Sequence, residues 1–227
     1  GLLEGMEGLS RQPGTPAREN GSRLFNGFVI YSPYDVGGRC AVPFDIGLRY
    51  GKGEDMRIKV SNYISEMLVK AGIRQAFMVT GGGAMHLDDA LGHQEGLCCI
   101  YDHHEQACAI AAEAYARIHN EIAALCVTTG PGGTNAITGV LGGWLDSIPM
   151  LVLSGQVRYD TTARWSGLGI RAMGDQEFDI CKSIDCMTKY SEMVIDPMRI
   201  RYCLEKALYL ACLLYTSPSP RDYAASR

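Results

Sequence analysis

The feature that most constrains the fold is an alternation of short apolar runs and longer helical periods between residues 60 and 210. Glycine, proline or polar residues separate the runs, as expected where strands and helices take turns. The helical periods cover 60–71, 87–91, 106–118, 134–145 and 198–210, and the strand-like runs cover 75–79, 98–101, 123–127, 150–154 and 188–194. Repeated strand–helix units predict an α/β fold, a doubly wound parallel sheet flanked by helices.

The first 55 residues follow a different pattern. They are rich in Gly, Pro, Arg and Ser and show no sustained period, so we predict an irregular extension over 1–55. Residues 52–56 can be encoded by a purine-rich ribosome-binding sequence followed by a start codon. We therefore expect Met56 to be the native first residue and 1–55 to be untranslated upstream sequence; a genuine extension or linker is the alternative.

The last residues also stand apart. Residues 212–227 resemble a translated sequencing adapter, so we expect an adapter-derived tail there and a truncated domain over 56–211. A native Ser-Pro linker is the alternative.

Composition and charge exclude several classes of protein. The net charge of -4 and the pI near 5.7 argue against a nucleic-acid surface. The longest apolar stretch, 207–214, is too short to span a bilayer, and the N-terminus has no signal-peptide pattern. We predict a cytoplasmic protein with no nucleic-acid or membrane partner.

The nine cysteines predict neither a zinc site nor a disulfide framework, because their number is odd and no CxxC pair occurs. We therefore predict no metal site in this chain. Cys98, Cys108, Cys126 and Cys203 lie in apolar segments, where free cysteine behaves as a small buried hydrophobe.

Loops at one edge of the predicted sheet are the candidate site. Ligands of doubly wound folds lie beyond the carboxyl ends of the strands, so the loops of interest begin at Thr80, Asp102, Thr128 and Gly155.

The Asp102 loop brings three ionisable side chains to the start of a helix. An acid such as Glu105 gains about 0.3–1 kcal/mol from the positive end of the helix dipole, which alone would explain its position. His103 and His104 point in different directions from adjacent residues and make a poor chelating pair.

Two glycine-rich loops bring backbone close to a ligand or another subunit. The loop over 128–135 resembles a phosphate cradle but lacks the Gly-Lys-Ser/Thr ending of a nucleotide-triphosphate loop. The loop over 80–83 is too degenerate for a dinucleotide fingerprint.

Taken in order, these motifs are more informative than any one of them. They are Val79-Thr80-Gly81-Gly82-Gly83-Ala84, His104-Glu105-Gln106, Thr129-Gly130-Pro131-Gly132-Gly133-Thr134-Asn135, Asp146-Ser147-Ile148-Pro149, Gly155-Gln156-Val157 and the later pair Gln176-Glu177. Over about residues 57–210 the chain resembles the pyrimidine-binding domain of thiamine-diphosphate-dependent enzymes of the acetolactate synthase type.

The resemblance implies a reaction and a catalytic residue. In that family the carboxylate at the position of Glu105 bonds the pyrimidine N1′ of thiamine diphosphate and favours the imino tautomer that deprotonates the thiazolium C2. The cofactor is the electron sink, and the protein supplies the geometry. The implied activity is that of a carboligase or decarboxylase acting on a 2-oxo acid such as pyruvate.

The same resemblance implies a set of site residues. The cofactor-binding positions would be Thr80, Gly81, Gly82, Glu105, Gly130, Pro131, Gly132 and Asn135. The substrate-side positions would be Gln106, His103, His104 and Gln176. His103 and His104 are candidates for proton handling, but adjacent loop imidazoles also serve packing or solvent contact.

The resemblance further implies cofactors and partners outside this chain. The family binds diphosphate and Mg²⁺ through a Gly-Asp-Gly to Asn motif on a separate C-terminal domain, a motif absent from this sequence. Some members carry FAD in a middle domain, and family members work as homodimers or homotetramers. We therefore expect a fragment that is inactive alone; a two-chain enzyme and a non-catalytic assembly module are the alternatives.

Departures from the family pattern concern the acceptor side. Val79-Thr80 stands in place of a Tyr-Pro pair, Asp175 replaces an aromatic residue, and the loop over 158–174 is longer. Arg164, Trp165 and Arg171 of that loop could reach an anionic acceptor, although exposed charged loops are common. These changes leave room for carboligases other than acetolactate synthase, or for a decarboxylase.

Overall fold

Six strands form one sheet in the order β3-β2-β4-β5-β1-β6 in the structure, a computed structural model that describes residues 26–32 and 58–212. The strands are β1 (Asn26–Ser32), β2 (Gln75–Met78), β3 (Cys98–Tyr101), β4 (Ala123–Val127), β5 (Met150–Arg158) and β6 (Tyr190–Val194). The helices are α1 (Val60–Lys70), α2 (Met85–Gly92), α3 (Glu105–His119), α4 (Pro131–Leu145), α5 (Ala163–Ser166), α6 (Ile180–Ile184) and α7 (Ile200–Cys212).

Four neighbouring strands, β3, β2, β4 and β5, pair in parallel. Helices cover both faces of this part of the sheet, which confirms the predicted α/β architecture. The fifth strand, β1, pairs antiparallel with both β5 and β6 and so makes the sheet mixed. It forms within the 1–55 segment that we predicted to be irregular. It was missed by the sequence analysis because a single seven-residue strand leaves little periodic signal. Met56, the predicted first residue, lies outside the described residues.

Alternating side chains of the central strands fill two separate cores. Along β4, Ala123, Leu125 and Val127 pack with α3, α4 and α6, whereas Ala124 and Cys126 pack with α1, α2 and α7. All five residues are buried, as expected for a strand covered on both faces.

Glycines on α4 allow it to lie close beside α3. A Cβ added at Gly139 would lie 2.5 Å from the Cβ of Ala109, and one at Gly132 would lie 3.4 Å from Oε1 of Glu105. Both helices follow parallel strands and run in the same direction. Their N-terminal ends therefore meet at the same edge of the sheet.

Several predicted boundaries and environments changed. Strands β3 and β4 have the predicted bounds, but α4 begins at Pro131 instead of residue 134, and β5 continues to Arg158. Proline suits the first turn of a helix because its missing N–H would have no partner there. Cys108, Cys126 and Cys203 are buried as predicted, whereas Cys98 is exposed, because it begins a short strand at the edge of the sheet.

Over residues 26–32 and 58–212, no helix is both long enough and apolar enough to span a membrane.

Candidate functional site

The loop after β2 is in direct contact with the loop after β4 and with the last part of strand β5, at one edge of the sheet. A Cβ at Gly81 would lie 2.5 Å from the Cβ of Thr128, and one at Gly155 would collide with the backbone oxygen of Gly83. These loops can approach so closely only because side chains are missing at both glycines.

Glu105 is the first residue of α3 and lies between the starts of two helices. Its half-buried carboxylate accepts a hydrogen bond through Oε2 from Nδ2 of Asn135, at 3.0 Å, in the first turns of α4. Gly132, also in α4, lies beside Oε1. The N-terminal ends of both helices favour a negative charge at this point.

The residues before and after Glu105 fix the start of α3. His104 is the N-cap, and its Nδ1 accepts the backbone N–H of Gln106 at 3.1 Å. A neutral His104 therefore carries its proton on Nε2. His103 and His104 are exposed and Gln106 is half-buried. The structure thus gives His104 a capping function, which the sequence analysis did not predict.

The glycine loop after β2 is fixed by two side chains. The N–H of Gly81 donates to Oδ2 of Asp88 at 3.1 Å, and the N–H of Gly83 donates to Oγ1 of Thr128 at 3.0 Å. Thr80 and Gly82 are exposed, and no heavy atom lies within 4 Å of a Cβ added at Gly82. Gly82 therefore borders open space at the site edge.

Asp88 lies beneath this loop, on α2, and was missed by the sequence analysis. Burial raises the pKa of the Asp88 carboxyl, and the hydrogen bonds from Gly81 and from the Cys126 thiol oppose that rise. The Cys126 sulfur lies 3.8 Å from Oδ1. An acid soon after a glycine loop was the available signal, but it is indistinguishable from ordinary helix-start chemistry.

The turn into α4 depends on an unusual glycine. Gly130 has φ +57° and ψ −116°, a conformation that L-residues avoid, and a Cβ there would collide with the backbone oxygen of Gln176. Pro131, Gly132 and Asn135 are helical, so the loop predicted over 128–135 ends at Gly130.

Gln156, at the end of β5, joins three segments of the site. Its buried amide oxygen accepts from Oγ1 of Thr129 at 2.6 Å and from the N–H of Val157 at 3.0 Å. Its amide nitrogen donates to the backbone oxygen of Phe178 at 2.9 Å. The ends of β4 and β5 are thereby tied to the segment around Gln176, whose side chain is exposed.

The sequence model of a family described as "Thiamine pyrophosphate enzyme, N-terminal TPP binding domain" matches residues 58–182, more than half of the chain. The chain belongs to this family. The match includes Glu105, Asn135, both glycine loops and Gln176.

Curated relatives of this thiamine pyrophosphate domain are named acetolactate synthases, several of them as large subunits. Isozyme 3 of Escherichia coli is 38% identical over 144 residues, which cover 63% of this chain and 24% of the relative. The Lactococcus lactis large subunit is 34% identical over 151 residues, 66% of this chain and 25% of the relative. The chloroplastic enzyme of Arabidopsis thaliana is 31% identical over 157 residues, 69% and 22% respectively. The matched part of the chain thus spans about a quarter of these relatives' length.

The two carboxylate oxygens of Glu105 have different neighbours. Gly132 leaves the side of Oε1 of Glu105 free of a side chain, and Asn135 holds the other carboxylate oxygen. Within 26–32 and 58–212, no group of three or more His, Cys, Asp or Glu side chains could hold a metal ion.

Proposed function

We propose that this chain supplies the pyrimidine-binding part of the active site in a thiamine-diphosphate-dependent enzyme that acts on a 2-oxo acid. The observation that carries the proposal is the Glu105 carboxylate at the start of α3, bonded at 3.0 Å to Asn135 of α4. Family membership supports the cofactor, and the position of Glu105 supports its use of the pyrimidine ring.

Glu105 would hold and move one proton at the pyrimidine N1′. Bound thiamine diphosphate would supply the nucleophilic carbon and the electron sink for decarboxylation. Asn135 donates to Oε2 and so directs Oε1 toward the ring. Thr80, Gly81, Gly82, Gly130, Pro131 and Gly132 would surround the ring with backbone, and Gln106, His103, His104 and Gln176 would face the substrate.

A carboligase acting on pyruvate or a related 2-oxo acid is the best-supported activity, because the relatives are named acetolactate synthases. The departures at Thr80, Asp175 and the loop over 158–174 concern the acceptor side. They would therefore determine which acceptor is used and whether carboligation or simple decarboxylation predominates. The presence of the Glu105–Asn135 bond favours a catalytic domain over an assembly module.

Mg²⁺ would be held by residues other than those described, since the described residues contain no group of three or more His, Cys, Asp or Glu side chains that could hold a metal ion. The diphosphate and any FAD would be held by the other domains that the family resemblance implies. The chain then works only together with the rest of the enzyme.

We also propose assembly as a homodimer or homotetramer through this domain. The exposed sides of α3 and α4 carry large apolar residues, among them Ile118 at 77% exposure and Leu145 at 71%. Apolar surface of this kind is typical of protein interfaces.

The test is turnover of 2-oxo acids, followed by CO₂ release, in the holoenzyme that contains this chain. Glu105→Gln should lower turnover by about 10²–10⁴-fold, the range typical of a lost general acid–base group. Glu95→Gln is the matched control, because Glu95 is an exposed carboxylate in the turn before β3, away from the site edge. Equal turnover in both variants would refute the assignment of Glu105.

A further inference from the structure

The carboxylate of Glu177 accepts hydrogen bonds from backbone N–H groups at both ends of one loop. Ala163 donates to both oxygens at 2.9 Å, while Met173 and Gly174 donate to Oε2 at 2.9 and 3.2 Å. Ala163 begins α5, and Met173 and Gly174 precede Glu177 in sequence. One side chain therefore closes the loop over 163–174.

These bonds are strong because the acceptor is charged. Burial by itself would raise the pKa of Glu177, but the N–H groups of Met173, Ala163, Gly174 and Arg164 outweigh it and hold the pKa below its ordinary value. Hydrogen bonds to an ionised acceptor are about twice as strong as those between neutral groups. The loop is thus held by an ionised carboxylate at neutral pH.

The residues on either side of Glu177 contact the candidate site. Gln176 has φ +53°, a left-handed conformation that costs a non-glycine residue free energy. Its backbone oxygen lies 3.4 Å from Oγ1 of Thr129, whose proton is donated to Gln156, and lies against Gly130. The backbone oxygen of Phe178 accepts from the buried Gln156. The segment 176–178 thus links the loop to the turn that begins α4.

We propose that Glu177 is a positioning residue that closes the loop over 163–174 and thereby holds Gln176 in its left-handed conformation on the substrate side of the site. It acts through Gln176 and the loop, without touching the 2-oxo acid itself. The proposal rests on the proposed function for its link to the substrate, but closure of the loop does not depend on that function.

Trypsin provides a test of loop closure that needs no catalysis. Arg164 and Arg171 are exposed within the loop and become cleavable when it opens. In the full chain, Glu177→Gln should speed cleavage at these two sites at least about tenfold, the size expected when charge-assisted hydrogen bonds are lost. Glu95→Gln should leave the rate within about twofold.

Gln176→Gly distinguishes the contribution of the Gln176 side chain from that of its left-handed backbone conformation. Glycine adopts the left-handed conformation without cost, so cleavage should stay within about twofold of the native rate. In the holoenzyme, both Gln176→Gly and Glu177→Gln should raise the KM for the 2-oxo acid about tenfold, while the affinity for thiamine diphosphate changes less than about twofold. If a substitution only destabilised the fold, a smaller fraction of the enzyme would be active. The apparent kcat would then fall while KM stayed unchanged.

Each result decides a separate point. Native-like cleavage in Glu177→Gln overturns the closure of the loop by this residue, and faster cleavage with an unchanged KM overturns the link to substrate. If the native holoenzyme turns over no 2-oxo acid, the proposed function fails, while the cleavage result still decides the loop closure. Where Glu177→Gln does not fold, Glu177→Asp is used in its place. Trypsin should then cleave the loop at least about threefold faster in Glu177→Asp than in Glu95→Gln. Equal cleavage rates in these two variants overturn the proposal.

Discussion

Replacing Gly130 by alanine tests the turn on which the candidate site depends. Gly130 combines φ +57° with ψ −116°, and its missing Cβ leaves room for the backbone oxygen of Gln176. Alanine must either keep a conformation that L-residues avoid or move the segment around Gln176 away from α4. Because the obstacle is a backbone oxygen, no side-chain rotation relieves it.

The expected cost follows from these two terms. A non-glycine residue in a sparsely populated conformation costs about 1–3 kcal/mol, and forced contacts in a packed region cost about 1–3 kcal/mol more. We therefore expect Gly130→Ala to lower the free energy of unfolding by about 2–6 kcal/mol. For a domain of this size, the corresponding fall in Tm is about 4–24 °C.

Gly142→Ala in the same helix is the matched control. Gly142 is an exposed helical residue of α4, and no heavy atom lies within 4 Å of an added Cβ. Alanine should therefore stabilise the chain by about 0.5–1 kcal/mol. Thermal and urea unfolding of both variants measure the difference, and equal stabilities would refute the reasoning about Gly130.

Further predictions concern the side chains that fix the loops. Asp88→Ala removes the acceptor of the Gly81 N–H and should cost about 1–2 kcal/mol in urea unfolding, whereas Asp88→Asn keeps an acceptor oxygen and should stay within about 0.5 kcal/mol; equal losses would contradict this function of Asp88. The pKa of Glu177 is depressed, so its contribution to stability is complete above the ordinary value of 4.5 and is lost as the pH falls below it. Hydrogen exchange of the Met173 amide, followed from pH 6 down to about 3, should show protection lost below 4.5; protection that persists to the lowest pH would contradict it. Asn135→Ala should lower kcat of the holoenzyme about 10–100-fold through the lost bond to the Glu105 carboxylate, and an unchanged kcat would show that this bond does not matter for turnover.

The sequence was sufficient for the parts of the fold that repeat. Strands β3 and β4 have the predicted bounds because apolar runs of four and five residues end at polar or glycine-containing segments. The motif order also placed Glu105 at the start of a helix, where the structure has it. The start of α4 was misplaced because its first turn, Pro131-Gly132-Gly133, has the composition of a loop.

Contacts between distant residues were beyond the reach of periodicity. The hydrogen bonds of Asp88 to Gly81 and of Glu177 to Ala163 join a side chain to backbone 7 and 14 residues away. No sequence periodicity predicts contacts of this kind. Strand β1 was missed because its two antiparallel partners, β5 and β6, lie far away in sequence. Long-range pairing of this kind is decided by tertiary packing.

The central claim is that Glu105 activates thiamine diphosphate through the pyrimidine ring. Its most direct test is the rate at which the thiazolium C2 proton exchanges with deuterium in the holoenzyme, measured by NMR after acid quench, in native, Glu105→Gln and Glu95→Gln forms. With cofactor bound equally in all three, Glu105→Gln should slow the exchange by about 10²–10⁴-fold, while Glu95→Gln matches the native rate. A native exchange rate in Glu105→Gln would contradict the assignment of this carboxylate.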